Sequence, residues 1–218
     1  MDTLTATKTL KIDVVSDVVC PWCAIGLASL EQALARVEGE IGATLQFHPF
    51  ELNPQMGAEG EDIVEHLSRK YGIDAAQIER NREAIRQRGA ALGVRFGARS
   101  RTWNTFDAHR LLHWAGLEGR QHALKRELLA AYHGDGENPS DPEVLVRRAE
   151  AAGLDPARAR EVLASGAYAD AVRADERHWL ELGIHAVPAV IVNDRHLISG
   201  GQPPEVFEQA LRQIAAQT

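Results

Sequence analysis

The sequence predicts an α/β fold in which two strand-bearing ends enclose a long helical block. Three observations support this class: β-branched alternation near the N-terminus, helical periodicity through the middle, and two short apolar runs before an amphipathic C-terminal segment. The predicted order of elements is therefore βαβ, a large inserted α-helical block, and then ββα.

The N-terminal quarter predicts a strand, a helix and a second strand. Residues 9–16 alternate loosely and are rich in β-branched side chains, which is typical of a strand. Residues 24–38 carry apolar side chains at helical spacing, and Gly39 marks the expected helix end. Residues 43–52 predict the second strand, so the CPWC segment at 20–23 lies at the turn from strand to helix.

The middle of the chain, from about 63 to 182, predicts about six helices. Ala, Leu, Arg and Glu recur there in helical phase, and clusters of Gly, Pro and Asp separate the segments. Asp141-Pro142 and Asp155-Pro156 each combine a good N-cap with a proline at the first helical position. Two helices are therefore expected to begin at these dipeptides.

The C-terminal part returns to strands. Residues 188–193 and 196–199 are short apolar runs, and Asn193-Asp194 between them suits a tight hairpin turn. Apolar side chains on one face of the last segment predict a final helix. The elements then group into two domains, an α/β domain of residues 1–61 and 183–218 and a helical insertion domain of residues 62–182.

Composition and charge exclude several classes of function. The 218 residues carry 24 Lys and Arg against 31 Asp and Glu, a formal net charge of -7 that argues against sequence-independent nucleic-acid binding. No apolar stretch is long enough to span a membrane, and residues 1–11 are too polar for a signal peptide. We therefore expect a cytoplasmic protein with neither a nucleic-acid nor a membrane partner.

The chain has only two cysteines, and they stand together as Cys20 and Cys23. Two thiols cannot form the disulfide framework of a small secreted protein. A helix N-terminus favours negative charge, so a thiolate there serves as a nucleophile and as a leaving group. With Pro21 in the first helical turn, we expect Cys20 to attack a disulfide and Cys23, one turn along, to resolve the product.

Two alternatives to redox chemistry remain for this pair. A CxxC can be half of a zinc site, but zinc usually takes four ligands and the chain has no second cysteine pair. His48 and His185 could complete such a set, although neither shows ligand spacing. The thiols could also be inert core residues, since free cysteine is often buried. Neither alternative accounts for the position between strand and helix, and we expect no metal.

Several other side chains are candidates for the site. Asp17, three positions before Cys20, could handle protons for Cys23, and Asp13 is a weaker candidate; an Asp that caps a turn is the commoner explanation. His109 and His113, spaced i, i+4, would permit metal binding, but their amphipathic surroundings favour packing or surface roles. Asn104 is expected to cap the helix that carries both histidines.

A glycine-rich loop precedes the last helix. Ser199 and Gly200 could offer backbone N–H groups to a carboxylate, as a glutathione-binding loop would. The alternative is a turn that simply needs a flexible backbone. Val187-Pro188 stands just before a predicted strand, where an X-Pro bond can be cis or trans.

These motifs carry a resemblance to a known family. The segments SDVVCPWCAIG, HPFELNP (48–54), NTFDAHRLLHWA (104–115), GIHAVPAVIV and HLISGGQPPEVFEQAL resemble the DsbA-like superfamily of thiol-disulfide oxidoreductases, and specifically its cytoplasmic FrnE-type branch. The resemblance runs from about residue 11 to residue 214 and implies a thioredoxin-like fold with a helical insertion.

The resemblance also implies roles for named residues. Cys20 would be the nucleophile, and Pro188 would be cis and face the thiols. Cys20, Cys23, Val187 and Pro188 would form one reactive surface, and Asn104 would lie near it. Pro21 and Trp22 complete the expected surface, with Trp22 where periplasmic members commonly carry His.

The leading hypothesis is a dithiol-disulfide oxidoreductase that exchanges disulfides with protein or small-molecule thiols. It would need no cofactor beyond the redox-active pair, although glutathione could act as a co-substrate. The alternative is a glutathione-dependent isomerase or transferase similar to 2-hydroxychromene-2-carboxylate isomerase and kappa-class glutathione transferases. Those relatives generally carry Ser where this chain has Cys20. A zinc-dependent or purely binding module is the third reading, and a monomer and a homodimer are both open.

Overall fold

The computed structural model describes residues 8–217, and four of its strands form one mixed sheet. The six strands are β1 (Lys8–Ser16), β2 (Ile41–Pro49), β3 (Glu61–Asp62), β4 (Arg101–Thr102), β5 (Ala189–Val192) and β6 (His196–Ser199). The sheet order is β2-β1-β5-β6, with β1 parallel to β2 and antiparallel to β5. β3 and β4 form a separate antiparallel pair. The two ends of the chain therefore meet in one sheet.

Helices fill the space between β2 and β5 and cover the sheet. They are α1 (Pro21–Arg36), α2 (Ile63–Tyr71), α3 (Ala75–Ala91), α4 (Phe106–Leu117), α5 (Gln121–Leu129), α6 (Pro142–Ala151), α7 (Pro156–Ser165), α8 (Ala169–Glu181) and α9 (Pro204–Gln217). A single π-helical turn, Ala130–Asp135, continues α5. The predicted α/β class, with helices inserted between βαβ and ββα, is confirmed.

The central strand β1 is buried on both of its faces. Ile12 and Val14 pack with residues of α1 and α9 on one face. Val15 packs with Trp179 of α8 on the other face. Since side chains alternate along a strand, Asp13 shares the face of Val15 and is directed toward α8. This alternation places a charged side chain inside the protein.

A second core holds the helical block together and reaches the end of β1. It is built from residues of α4 to α7, and Val18 and Val19 of the segment after β1 are part of it. Both valines are almost fully buried. The segment that leads into Cys20 is therefore anchored in the helical block as well as in the sheet.

Three predictions differ in detail from the observed elements. The first helix begins at Pro21, the residue expected in its first turn, and ends at Arg36 instead of residue 38. The second strand ends at Pro49 instead of residue 52. Beyond it the chain leaves the sheet, and the Leu52 N–H donates to Asp17 Oδ2 at 2.7 Å. The middle of the chain forms seven α-helices where about six were predicted.

The local capping and turn predictions are confirmed. The Asp141 carboxylate accepts a hydrogen bond from Glu143 N, and that of Asp155 accepts one from Ala157 N. Asn193 and Asp194 both adopt positive φ values, 53° and 56°, in the turn between β5 and β6. These features depend on neighbouring residues only, which is why the sequence reveals them.

Residues 1–7 and 218 lie outside the described part of the chain, and with them most of the N-terminal segment judged too polar for a signal peptide. Within residues 8–217 no helix is both long and apolar enough to cross a bilayer. The domain division at residues 61/62 and 182/183 stays a prediction.

Candidate active site

The two thiols occupy the first turn of α1. Cys20 is the N-cap residue, with an extended backbone, and its carbonyl accepts a hydrogen bond from Cys23 N at 3.1 Å. Both cysteines are free thiols, and they are only 4% and 2% exposed. Trp22 between them is 43% exposed. The indole ring of Trp22 is therefore exposed beside the buried sulfur of Cys20.

The loop before β5 closes over the Cys20 thiol. Cys20 Sγ donates to the carbonyl oxygen of Val187 at 3.8 Å, although 167 residues separate the two along the chain. The Val187-Pro188 peptide bond is cis. Gly26 of α1 lies against Pro188, and a Cβ atom there would be 3.0 Å from the proline Cγ. The absence of a side chain at Gly26 thus permits helix and loop to approach.

The glycine-rich loop supports this arrangement from behind. Gly200 N donates to Pro188 O at 2.8 Å, and Gln202 Nε2 donates to Ser199 O at 2.8 Å. The Gly200 N–H is thus engaged within the protein. Binding of a carboxylate by Ser199 and Gly200 stays a prediction.

Cys23 lies beneath Cys20 in a buried polar environment. Burial raises the pKa of the Cys23 thiol well above its ordinary value, and the neighbouring Cys20 sulfur adds to the increase. The positive charge of Lys125, and a contact from the backbone of Asp17, lower the pKa of Cys23 in part. Cys23 is consequently protonated at neutral pH, and its deprotonation depends on these neighbours.

Lys125 of α5 is a buried cation at this position. It is 1% exposed, and its Nζ donates to Ser16 O at 3.4 Å. Burial lowers the pKa of Lys125, while negative charge on Cys23 and Asp17 would raise it. A buried ammonium is costly unless negative charge is close by, so Lys125 and the thiolate of Cys23 stabilise each other.

Asp17 is the carboxylate of this cluster. It is fully buried, and it accepts a hydrogen bond from Leu52 N while His109 Nε2 lies 3.3 Å from its Oδ1. Burial alone would raise the pKa of Asp17, but the hydrogen bond and charge of His109, together with Leu52 N–H, lower it overall. Asp17 is therefore charged, and its backbone contacts the Cys23 thiol.

Asp13 belongs to a different set of contacts. Its Oδ1 lies 3.0 Å from His48 Nε2, while His48 Nδ1 lies 2.9 Å from Asp175 Oδ2. Lys11 pairs with the other oxygen of Asp13 at 3.1 Å. Burial lowers the pKa of His48, but the two carboxylates outweigh it and raise the pKa overall. These contacts join β1, β2 and α8, and a proton-handling role of Asp13 for Cys23 stays a prediction.

Asn104 lies at the start of α4. Its Oδ1 accepts from Phe106 N at 2.8 Å, as expected of a residue that caps a helix, and its Nδ2 donates to Glu51 Oε1 at 3.1 Å. Thr105, one residue later, is the formal N-cap. Asn104 is absent from the lining of the cavity beside Cys20. A direct role in the site stays a prediction.

The histidines weighed as metal ligands have other partners. His109 contacts Asp17, and the ring of His113 lies 5.2 Å from that of Tyr168. Within residues 8–217 no group of three or more His, Cys, Asp or Glu side chains is placed to hold a metal ion.

A cavity of about 610 Å³ opens beside Cys20, between the start of α1 and the helices α2 and α3. Arg82 and Arg99 line it, although Arg82 belongs to a run of arginines interleaved with glutamates, a pattern that predicts a solvated helix face. Tyr132 and the neighbouring His133 come from the π-helical turn behind it. Burial and nearby Arg99 lower the pKa of His133 well below its ordinary value, so its ring is neutral.

One local signal could have identified Lys125. It shares a helix face with the apolar Leu128 and Leu129, three and four positions later, so a charge interrupts an apolar stripe. Arg82, Arg99 and Tyr132 give no comparable signal, because their position depends on how distant helices pack.

Comparisons with known proteins agree with this fold. Residues 11–212 match the model of a DSBA-like thioredoxin domain. A probable DsbA oxidoreductase from Streptomyces coelicolor superposes with a TM-score of 0.90 at 37% identity, over 96% of this chain and 91% of that one. An uncharacterised protein, YwbO, from Bacillus subtilis is 29% identical over 93% of this chain and 96% of its own length. A 2-hydroxychromene-2-carboxylate isomerase shares the fold at 16% identity and a TM-score of 0.71, over 95% and 97% of the two chains.

Proposed function

The chain belongs to the DSBA-like thioredoxin domain family, and from that premise we propose that it is a dithiol-disulfide oxidoreductase in which Cys20 attacks and Cys23 resolves. The observation that carries the proposal is the pair of free thiols in the first turn of α1, with the Val187 carbonyl 3.8 Å from Cys20 Sγ. Cys20 and Val187 also line a common cavity, through which a disulfide sulfur can approach the thiol.

The proposed reaction has two exchange steps. The Cys20 thiolate attacks one sulfur of a substrate disulfide, the substrate S–S bond breaks, and the other sulfur leaves as a thiolate that takes up a proton. Cys23 then loses its proton and attacks Cys20 Sγ, which forms the Cys20–Cys23 disulfide and releases the second substrate thiol. Two electrons and two protons pass to the substrate, and the reverse sequence oxidises a dithiol.

The surroundings of Cys23 support a distinct proton-handling role. Its pKa is raised by burial, so the second step requires that a proton leave a buried sulfur. Lys125 supplies positive charge for the thiolate, and the charged Asp17 offers an acceptor in the same cluster. We assign both to positioning and proton handling for Cys23, with Cys20 and Cys23 as the reacting groups.

Cysteine variants test the assignment. Cys20→Ser is expected to abolish reduction of a model protein disulfide, because Cys20 is the thiol that lines the cavity, whereas Cys23 lies beneath it. Cys23→Ser is expected to accumulate a mixed disulfide on Cys20, detected by intact mass spectrometry, because the resolving step is lost. A Cys20→Ser protein that is folded by circular dichroism and reduces the disulfide at the wild-type rate overturns the proposal.

The same variants address the isomerase alternative. Tight glutathione binding, with isomerase activity that survives Cys23→Ser, would favour a glutathione-dependent isomerase.

We place the protein in the cytoplasmic FrnE-type branch, where reduced thiols prevail. Alkylation of the thiols in intact cells, followed by mass spectrometry, tests that location through the redox state of Cys20 and Cys23.

A further inference from the structure

The cavity beside Cys20 has the size of a small-molecule site. Its volume of about 610 Å³ falls within the range of roughly 300 to 1,000 Å³ that is common for ligand pockets. Most of its wall is apolar, and α2 and α3 contribute Leu67, Ile78 and Ile85 to it. An apolar wall of this extent suits a ligand with an aromatic or aliphatic arm.

The reactive thiol opens into this cavity. Cys20 lines it together with its neighbours Val19, Pro21 and Trp22, and Val187 closes the same side. Because Cys20 is only 4% exposed, a substrate sulfur must enter the cavity to reach it. A slender disulfide meets that condition more readily than a disulfide held on the surface of a folded protein.

The charged groups of the cavity are all positive. Lys70, Arg82 and Arg99 line it, and no Asp or Glu is among the lining residues in the described part of the chain. This is the opposite of the chain's overall charge of -7. Lys70 Nζ is already bound to Leu52 O at 2.7 Å and to Asn53 Oδ1 at 2.8 Å. The two arginines therefore remain to receive an anion.

Each arginine has a buried donor without a partner. Arg82 Nη2 and Arg99 Nε make no hydrogen bond to any residue within 8–217. Arg99 is held in place by His133 Nδ1 at 2.9 Å, and its guanidinium lies 5.0 Å from the ring of Tyr132. The carboxylate nearest Arg82 is Glu79, at 3.8 Å. Buried donors of this kind are rare in native proteins, and an anionic ligand would satisfy them.

We propose that this cavity binds a low-molecular-weight disulfide whose apolar arm ends in a carboxylate or a similar anion. The arm packs on the apolar wall, the anion binds Arg82 and Arg99, and the disulfide lies at Cys20. This rests on the proposed function: the Cys20 thiolate attacks the near sulfur, the far half leaves as a thiol, and Cys23 then releases the retained half as a second thiol. The two thiols of the protein are oxidised to a disulfide as the substrate is reduced.

Two aromatic disulfides of different charge test the proposal. Reduced wild-type protein is mixed in stopped flow with 5,5′-dithiobis(2-nitrobenzoate), which is anionic, or with 4,4′-dithiodipyridine, which is neutral. We expect Arg82→Gln to slow the anionic probe by about tenfold, the effect of one lost charge-assisted hydrogen bond, and the neutral probe by less than about twofold. The matched control is Arg80→Gln, an exposed arginine of the same helix that is bonded to Gln77, which should change neither rate.

The outcomes separate this inference from the proposed function. If neither probe reacts at Cys20, the proposed function itself fails. If both react and Arg82→Gln slows them equally or not at all, the anion site is wrong while the oxidoreductase stands. If Arg82→Gln does not fold, a measurement on the wild-type protein replaces it. We expect 2-nitrobenzoate to inhibit the reaction of the neutral probe, with an inhibition that saturates. The absence of this competition would overturn the anion site.

Discussion

A Cβ atom added to Gly26 would lie 3.0 Å from Cγ of Pro188, so α1 and the loop that covers Cys20 are in contact through a residue without a side chain. The same loop is supported on its other side by the hydrogen bond from Gly200 N to Pro188 O. The Val187 carbonyl that contacts Cys20 is therefore held between a helix and a turn.

Gly26→Ala should lower both stability and the rate of thiol exchange. Alanine favours a helix interior by about 1 kcal/mol relative to glycine, whereas overpacking a buried contact costs about 1 to 3 kcal/mol. We expect a net loss of about 1 kcal/mol in urea unfolding, with a larger loss for Gly26→Val. The rate with 4,4′-dithiodipyridine should also fall, since a displaced loop moves Val187 away from Cys20.

Gly116→Ala is the matched control for helix propensity. Gly116 lies within α4, and a Cβ there would meet only the flexible side chain of Gln121, at 3.4 Å or more. We expect this change to be neutral or stabilising and to leave the exchange rate as it is. If Gly26→Ala behaves in the same way as Gly116→Ala, the contact with Pro188 does not constrain the site.

The helix starts and turns of this fold could be predicted from the sequence, but only some of the site residues could. Cys20, Cys23 and Pro188 stand in short motifs at element boundaries, where capping and proline effects act over a few residues. Helix α1 and the β5–β6 turn follow from the same kind of local signal. The cysteines and Pro188 meet in one site because the sheet order β2-β1-β5-β6 places strands from the two ends of the chain side by side.

The remaining site residues reach Cys20 and Cys23 through packing of the inserted helices. Arg82 belongs to a run of arginines interleaved with glutamates, a pattern that indicates a solvated face. One turn of that face nevertheless borders the cavity. The β3–β4 pair has two residues per strand, too few for alternation to be visible. Such features depend on tertiary contacts that no local window contains.

The two carboxylates that contact His48 predict a stability that depends on pH. The folded-state pKa of His48 is raised above its unfolded value, so its contribution is fully present below the unfolded pKa of about 6.5 and is lost as pH rises through the folded pKa. We expect His48→Gln to cost more near pH 6 than near pH 9, by about 1 kcal/mol. Urea unfolding of both proteins at the two pH values measures this difference.

His185→Gln serves as the control for that series, because His185 is exposed. Its cost should be small and similar at both pH values. A His48→Gln penalty that stays constant from pH 6 to pH 9 would show that packing against Trp179, whose ring lies 4.8 Å away, accounts for the effect instead of charge.

Lys125→Met tests the buried cation beneath Cys23. Methionine keeps the length and apolar stem of lysine and removes the charge that lowers the pKa of Cys23. We expect the first exchange at Cys20 to keep its rate, while release of the mixed disulfide by Cys23 slows by about tenfold or more, which corresponds to at least one pKa unit. The pH–rate profile of this release step should shift toward higher pH in Lys125→Met.

A matched lysine separates charge at the site from general effects. Lys8→Met removes a surface lysine whose Nζ bonds Ala215 O at 2.9 Å, and it should leave the resolving step unchanged. Slower release with an unshifted pH profile in Lys125→Met would point to a packing defect and remove Lys125 from proton handling.

Asp17→Asn combines a stability and a rate prediction. Asp17 is fully buried, and its carboxylate accepts from Leu52 N and contacts His109, so its loss leaves buried donors without their charge partner. Such changes cost about 3 to 5 kcal/mol when one member of a buried pair is removed. Because the folded-state pKa of Asp17 is lowered, this stability is present above the unfolded pKa of about 3.9 and is lost as pH falls through the folded pKa.

Urea unfolding at pH 7, pH 5 and the lowest pH at which wild-type protein stays folded measures that dependence. The difference between wild-type and Asp17→Asn should be largest at pH 7 and should shrink below about pH 4, where the unfolded carboxyl binds its proton. If Asp17 accepts the proton of Cys23, release of the mixed disulfide should slow in the same variant while attack by Cys20 does not. A variant with reduced stability and a normal resolving step would restrict Asp17 to anchoring Leu52 and His109 beneath the site.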